Sequence, residues 1–425
     1  MENPTPGHTM QHRGIATFTL DYGKCPPWLF ERMVKLSRSL VQVLVAEYGP
    51  DEFVRRIADP VWFQSLGTVL AFDWNASGLT TILTAALKEA IRGMERDLGI
   101  FICGGKGKTS LKTPDEIANW SARLSLPDSK ARRLIYNSKM SAKVDSGLIQ
   151  DGYQLYHHAF FFSRRGAWTV IQQGMNTESL TARRYHWYGD SPKDLINEPH
   201  TGIIADKVLK DTKVLNMTSS DSAENRKTSL ELVTHSSYYT LMKDLNLVRK
   251  HFSSLSQMVK FEISQNEKGQ QQLPGFSNQF SGSEKDSITL LNLEDKEFHH
   301  HPVEFENFSK SKYLEKILYK ICDRQPDSYE HLVAMEGVGP KTIRALSLVS
   351  EVLHGAPASY KDPARYSFAH GGKDATPYPV DTKTYDQSID ILRRAVLKSR
   401  IDTSDKNKIV DKLVNRHDTQ KPPQN

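Results

Sequence analysis

The sequence feature that most constrains the fold is a very short connection between two helical segments near the C-terminus. Five residues, Glu336-Gly-Val-Gly-Pro340, separate a segment that contains Leu332 and Val333 from a helix predicted over Lys341 to Leu353. Glycine adopts backbone conformations that other residues rarely reach, and proline is tolerated in the first turn of a helix. The sequence therefore predicts two helices joined by a tight hairpin.

The start of the second helix is predicted to bind an anion. Its first-turn N–H groups and the helix dipole suit a phosphodiester oxygen, and the side chains of Lys341 and Thr342 can add contacts. Such contacts hold a nucleic-acid backbone without reading its sequence, and they weaken as salt rises. DNA is therefore the expected partner, with RNA as the second candidate, and the predicted contacts are Gly337, Gly339, Lys341 and Thr342.

The segment Leu332-Val-Ala-Met-Glu-Gly-Val-Gly-Pro-Lys-Thr-Ile343 resembles the helix-hairpin-helix signature of DNA repair and recombination proteins. It is similar in particular to the base-excision glycosylases of the endonuclease III-like superfamily. In those enzymes a lysine that begins the second hairpin helix is the Schiff-base nucleophile, and an aspartate in a Val-Asp-Thr sequence assists it. The resemblance assigns these catalytic roles to Lys341 and to Asp381 in Val380-Asp-Thr382, and it implies a DNA glycosylase or abasic-site lyase.

The chemistry implied by this resemblance is coherent, although the spacing departs from the family pattern. A nearby carboxylate can stabilise the cationic transition state formed when an amine attacks the deoxyribose C1′. Residues 355–378 are inserted between Lys341 and Asp381, and this polar loop holds His370, Lys373 and Asp374. The loop is either part of a nucleotide pocket or a surface excursion. With three cysteines the chain cannot hold an iron–sulfur cluster of the endonuclease III kind.

Positive charge is concentrated in residues 101–186, which contain thirteen Lys and Arg against six Asp and Glu, whereas the whole chain has a net charge of +6. This distribution favours a polyanionic partner. Gly104-Gly-Lys-Gly-Lys108 follows an apolar strand, so Lys106 and Lys108 are predicted to contact phosphates, although the spacing is not that of a Walker A motif. The run Arg183-Arg184-Tyr-His-Trp187 interleaves cations and rings, which suits a nucleic-acid groove.

A second hypothesis is a metal-dependent nuclease. Asp145 and Asp151 precede a predicted strand hairpin, with His157 and His158 beside them, and such oxygen and imidazole ligands can hold a divalent metal. The Asp/Glu-x-Lys sequence that nucleases commonly carry on the second strand is missing, because Gln172-Gln-Gly174 stands there. A third hypothesis is a DNA-binding module without enzymatic activity. No cofactor is certain, and a divalent metal is expected only for the nuclease.

The chain is too long for one ordinary hydrophobic core, so several domains are expected. We predict an α+β or α/β domain over residues 1–188, an irregular middle region with a flexible linker over 189–302, and an all-α helix-hairpin-helix domain over 303–425. The cysteines are far apart and no apolar run approaches the roughly 20 residues of a membrane span. A cytoplasmic protein without a membrane partner is expected.

The order of the segments along the chain also resembles an uncharacterised prokaryotic family that is described as a domain of unknown function. The segments that carry this resemblance include Leu20-Asp-Tyr-Gly-Lys-Cys-Pro-Pro-Trp28, Gly104-Gly-Lys-Gly-Lys108, Gln150-Asp-Gly-Tyr153, the hairpin, and Tyr366-Ser-Phe-Ala-His-Gly-Gly372. Membership of that family implies no particular reaction.

Overall fold

The computed structural model describes residues 25–70, 78–177, 180–190, 194–205, 214–248, 311–364, 382–399 and 402–414. Several predicted features lie outside these residues, and they are the Leu20 segment up to Lys24, the linker within 249–310, and the candidate residues His370, Lys373, Asp374 and Asp381. The distance between Lys341 and Asp381 therefore stays untested.

Helices form the N-terminal part of the described chain. They are α1 (Pro27–Tyr48), α2 (Pro50–Ile57), α3 (Pro60–Val69), α4 (Gly78–Ala90) and the short α5 (Glu95–Leu98). The first three begin with a proline, and the Asp59 side chain caps α3 by accepting the N–H groups of Val61 and Trp62. Buried positions of α1 recur at helical spacing, as Met33, Leu40 and Leu44 do, so this helix is amphipathic.

The described residues form a central antiparallel sheet of five strands in the order β1-β3-β4-β5-β6. The strands are β1 (Ile100–Lys106), β3 (Gln154–Ser163), β4 (Trp168–Asn176), β5 (Thr181–Gly189) and β6 (His200–Ala205), while β2 (Ile149–Gln150) pairs with β7 (Leu215–Asn216). The strand hairpin predicted after Asp151 is confirmed, and its strands are β3 and β4. The described chain is therefore mixed α+β with an antiparallel sheet, which excludes the parallel α/β alternative.

The remaining helices lie after β1 in the sequence. They are α6 (Thr113–Arg123), α7 (Asp128–Gly147), α8 (Ala223–Thr234), α9 (238–248), α10 (Lys312–Arg324), α11 (Tyr329–Ala334), α12 (Pro340–His354), α13 (Thr382–Lys398) and α14 (Thr403–Val414). Short 3₁₀ turns precede α6 and α8.

Each face of the sheet is covered by its own apolar cluster, because side chains alternate between the two faces of a strand. Ala159 and Phe161 pack with α1 to α4, whereas Phe160 and Phe162 pack with α7, α8 and the helices α10 to α12. The second cluster thus extends from Phe101 to Val352 in the sequence.

The described residues after 310 are helical apart from turns and one isolated bridge between Asn216 and Ser359. Many of their apolar side chains belong to the same cluster as side chains of the sheet. The domain boundaries predicted near residues 188 and 302 stay predictions, and so does the independence of an all-α domain. None of the helices that the structure describes combines the length and the apolar character that a membrane span requires.

Candidate nucleic-acid interface

The predicted hairpin is present as α11, a tight turn and α12. Gly337 has φ +91°, and a Cβ there would lie 2.3 Å from Ile317 Cδ1, so a side chain would be strained and crowded. Gly339 is different, because its φ of −148° is extended and a Cβ there would meet no atom within 4 Å. The turn therefore requires glycine at position 337, whereas position 339, just before α12, has room for a side chain.

Lys143 of α7 caps the first hairpin helix. Its Nζ donates hydrogen bonds to the backbone carbonyls of Val333 (2.9 Å), Ala334 (3.1 Å) and Met335 (2.6 Å). The last carbonyls of a helix have no partner within the helix, so one ammonium group satisfies three acceptors at once. Burial lowers the pKa of Lys143. The end of α11 is thereby fixed against α7.

The second hairpin helix is braced by Gln150, the last residue of β2. Gln150 Nε2 donates to the Pro340 carbonyl (3.0 Å), and Gln150 Oε1 accepts from Arg344 Nε (2.5 Å). On the other side, the Tyr136 hydroxyl of α7 donates to Glu330 Oε1 (2.7 Å). The turn is consequently held in one orientation by side chains from outside the hairpin.

The predicted backbone contacts of the hairpin divide into accessible and inaccessible residues. Lys341 is exposed at the start of α12, and no hydrogen bond or ion pair joins its side chain to another described residue. Thr342 is only 3 % exposed, since it faces the core side of α12. A contact between the Thr342 side chain and a phosphate is therefore excluded, and that part of the prediction is wrong.

The exposed side of α7 adds cations beside the hairpin. Arg132, Arg133 and Lys139 are exposed and form no ion pair with a described residue. Elsewhere on the surface, cations are often neutralised locally, as Lys227 is by Glu224 at 3.4 Å. The positive charge of α7 is thus available to a partner.

The glycine-rich segment Gly104-Gly-Lys-Gly-Lys108, whose first three residues end β1, has a structural function as well as exposed lysines. A Cβ at Gly104 would lie 2.3 Å from both the His158 carbonyl oxygen and Thr113 Oγ1, so only glycine allows β1 to approach these groups. Lys106 and Lys108 are exposed, and Lys106 Nζ lies 5.9 Å from the centre of the Tyr156 ring. Phosphate contacts by these lysines stay a prediction.

Arg183 does not lie on a nucleic-acid surface. Its guanidinium binds Asp362 through two hydrogen bonds (3.0 and 2.8 Å) and Asp151 through a third (2.9 Å), and all three side chains are at most 1 % exposed. Tyr185 OH donates to the same Asp151 oxygen (2.7 Å). The prediction that Arg183 contacts DNA is wrong, because this arginine neutralises two buried carboxylates.

Arg184 is equally inaccessible on the opposite face of the sheet. It is fully buried below α3 and α4, where it donates to Gln64 Oε1 (3.1 Å), Thr80 Oγ1 (3.3 Å) and His186 Nε2 (2.9 Å). Its guanidinium also stacks on Phe63, 4.7 Å from the ring centre. Burial lowers the pKa of Arg184 to about 9. The predicted DNA contact of Arg184 is wrong because its side chain is buried.

Asp145, one of the predicted metal ligands, is the centre of a buried hydrogen-bond network. Its carboxylate accepts from Trp187 Nε1 (3.0 Å) and Gln172 Nε2, and His200 Nε2 lies 2.5 Å from Oδ1. Burial raises the pKa of Asp145, and His200 opposes that rise. Both carboxylate oxygens of Asp145 therefore already have partners within the protein.

His158 extends this network toward α7. Because Gln172 donates its amide N–H to Asp145, its oxygen is left to accept from His158 Nδ1 (2.9 Å), and Ser138 then donates to His158 Nε2 (2.9 Å). The hydrogen bonds all point from Ser138 toward the Asp145 charge, and they polarise one another. Burial lowers the pKa of His158 to about 4, so the ring is neutral near pH 7.

The predicted metal centre does not assemble. His157 follows the alternation of β3 and lies on the other face from His158, with Nε2 3.2 Å from Thr84 Oγ1, and burial lowers its pKa to about 3. Asp145 and Asp151 bind different partners. No three or more His, Cys, Asp or Glu side chains within the described ranges come together in a way that could hold a metal. A nuclease site at Asp145, Asp151, His157 and His158 is therefore wrong.

Sequence reasoning missed His200 and Asp362, which complete these buried contacts. Asp362 is 179 residues from Arg183, and His200 is 55 residues from Asp145, so no local spacing connects either pair. The available signal was the spacing of Arg183, Tyr185 and Trp187, which places these three residues on one face of a strand and indicates a buried polar face.

The fold and this surface define a mixed α+β protein that combines an antiparallel sheet, a buried polar network and an exposed, braced hairpin. A model of the family described as "Protein of unknown function (DUF763)" matches residues 14–380. The chain belongs to this family, so the expected membership of a family of unknown function is confirmed. No curated protein and no solved structure matched the chain.

Proposed function

We propose that the protein binds the phosphate backbone of DNA through the hairpin at residues 335–342. The observation that carries this proposal is the exposed Lys341 at the start of a helix whose preceding turn is braced by Lys143 and Gln150. A rigid turn needs little ordering when it binds, and helix N–H groups together with an ammonium group attract a phosphate oxygen. Binding of this kind is independent of base sequence.

The cations of α7 support the same proposal. Arg132 and Lys139 are seven residues apart, so they lie on one side of the helix with a rise of about 10 Å between them. Tyr136, between them in the sequence, contacts Glu330 of α11 and so links this side of α7 to the hairpin. A DNA backbone that reaches Lys341 would pass a surface with further unpaired cations.

A fluorescence anisotropy titration with a labelled DNA oligonucleotide tests the hairpin directly. Lys341→Ala removes the exposed ammonium group and should weaken binding, and the slope of log affinity against log salt should fall by about 0.9 for duplex DNA. Lys227→Ala removes an exposed lysine of α8 that already pairs with Glu224, and it should bind as the wild type does. Equal affinities for the wild type and Lys341→Ala would reject the hairpin as the binding site.

Glycosylase or abasic-site lyase activity is proposed as the reaction of the same site, with Lys341 as the nucleophile and Asp381 as its assistant. Its support is the resemblance of the hairpin and the accessibility of Lys341. Borohydride trapping on abasic DNA should give a covalent adduct with the wild type and none with Lys341→Ala. If the wild type binds DNA without forming an adduct, the protein is a binding module without this chemistry.

A further inference from the structure

An exposed group of tyrosines lies on α9 and α10, and one of them borders the hairpin turn. Tyr313 and Tyr319 of α10 are 65 % and 58 % exposed, and Tyr239 of α9 is 83 % exposed. Single exposed aromatic side chains are ordinary, but several on one surface mark a site of interaction. No reaction or contact described above makes use of these rings.

Tyr238 joins two of the exposed rings into one surface. This half-buried ring lies edge-on to Tyr239, with centroids 5.7 Å apart, and to Tyr319 at 5.4 Å. Tyr238 packs against the apolar cluster that contains Phe160 and Phe162, so it holds its exposed neighbours in place. Tyr319 shares the outer side of α10 with Lys312 and Lys316, which precede it by seven and three residues.

The same surface extends to the hairpin turn. A Cβ at Gly337 would lie 3.4 Å from the Tyr313 hydroxyl, so this ring borders the turn. Lys320 Nζ donates to the Glu336 carbonyl (3.3 Å) and pairs with the Glu336 carboxylate (3.2 Å). We call the surface formed by Tyr313, Lys312, Lys316, Tyr319 and Tyr239 the tyrosine band.

The chemistry of the tyrosine band selects one kind of partner. Lys312 and Lys316 are exposed, and neither forms an ion pair or hydrogen bond with another described residue. Cations that alternate with open aromatic faces bind unpaired nucleic acid, because rings stack on bases while ammonium groups hold phosphates. In a duplex the bases already stack on one another and offer no free face to these rings.

We infer that the tyrosine band binds a single-stranded segment of nucleic acid next to the backbone held by the hairpin. The inference rests on the proposed function, because the neighbouring backbone contact is the one at the hairpin. It specifies the substrate as DNA with an unpaired region. Base stacking on tyrosine does not depend strongly on base identity, so little sequence preference is expected.

Binding of a labelled oligodeoxythymidine and of a matched duplex, measured by fluorescence anisotropy, tests the band. Tyr319→Ala and Tyr239→Ala should each weaken single-strand binding about 5- to 150-fold, the range that corresponds to loss of one stacked base. Tyr319→Phe keeps the ring and should stay within about twofold of the wild type. Duplex binding should be unchanged in all three variants, and Trp28→Ala, which removes an exposed ring of α1, serves as the control.

The outcomes separate the band from the hairpin. Single-strand affinities of the alanine variants equal to the wild type would overturn the band, even if Lys341→Ala weakened binding and so supported the hairpin. Loss in the tyrosine variants without loss in Lys341→Ala would support the band and reject the hairpin. Unchanged DNA binding with an altered mass by light scattering would identify the band as a protein interface and overturn the inference. Unfolding curves of each variant confirm that it is folded.

Discussion

The hairpin and strand β5 contain similar residues, but the structure uses them in opposite ways. Lys341 at the hairpin is exposed and has no described partner, whereas Arg183 and Arg184 of β5 are fully buried and hydrogen-bonded. In the sequence the two regions look alike, because Lys341 follows two glycines and the two arginines precede aromatic residues. The comparison shows that the environment, more than residue type, decides whether a cation meets a ligand or completes the core.

The two regions differ also in what their charges contribute to the free energy of unfolding. A charge exposed to water interacts weakly with its neighbours and is screened by salt. A buried charge has lost its hydration, so removing its partner is costly. Replacing a charge should therefore affect stability in β5 and binding at the hairpin, whereas a glycine that the turn requires should affect stability wherever it lies. Four experiments test these expectations.

The largest expected effect follows the removal of Arg183. Arg183→Met leaves Asp151 and Asp362 buried without their cation, and the free energy of unfolding should fall by about 3–5 kcal/mol. Urea denaturation followed by circular dichroism measures the change. Adding Asp151→Asn and Asp362→Asn removes the uncompensated charges and should restore part of the loss. An Arg183→Met protein as stable as the wild type would show that the ion pairs are not formed.

The two glycines of the hairpin provide a matched pair for the next experiment. Gly337→Ala places a Cβ at φ +91° and 2.3 Å from Ile317 Cδ1, so the free energy of unfolding should fall by about 1–3 kcal/mol. Gly339→Ala has room and an extended backbone, and it should change stability by less than about 0.5 kcal/mol. Equal denaturation midpoints for the two variants would contradict the geometry of the turn.

The buried histidines predict that stability falls in acid. The pKa of His158 is lowered by burial from 6.5 to about 4, so between these values the unfolded chain binds a proton that the folded protein does not. The contribution of His158 is complete above pH 6.5 and is lost as the pH falls toward 4, by about 1.4 kcal/mol per pH unit. His157 and His186 act in the same direction.

Urea denaturation at several pH values between 7 and about 4.5 measures this dependence. His158→Gln removes one titrating group, so the free energy of unfolding should depend less steeply on pH by about 1.4 kcal/mol per unit. A slope unchanged by His158→Gln would mean that this ring takes up its proton in the folded protein.

The smallest effect on stability is expected on the outer side of α7. Arg132→Ala together with Lys139→Ala should change the free energy of unfolding by less than about 0.5 kcal/mol, because both side chains are exposed. If both side chains contact phosphates, the slope of log affinity against log salt for duplex DNA should decrease in magnitude by about 1.8. A slope identical to that of the wild type would confine the binding surface to the hairpin.

The parts of the fold that follow local rules were predictable. Helices α11 and α12 could be predicted from apolar residues, proline and glycines, because those signals act within a few residues. Strand β5 was not recognised, since its buried positions include Arg183 and Arg184, whose partners lie on distant segments. The candidate site shows the same limit: Lys341 was identified from the turn, whereas the tyrosine band required α9 and α10 to be brought together.

The apolar cluster on the α7 side of the sheet has a consequence for synthesis of the chain. Phe160 and Phe162 leave the ribosome early, but Val349 and Val352, which belong to the same cluster, are made nearly two hundred residues later. At about 5–20 residues per second, this part of the sheet waits on the order of 10–40 s for the helices that complete its core. During translation the growing chain therefore exposes apolar strands, and chaperones that bind nascent chains have a defined interval in which to act.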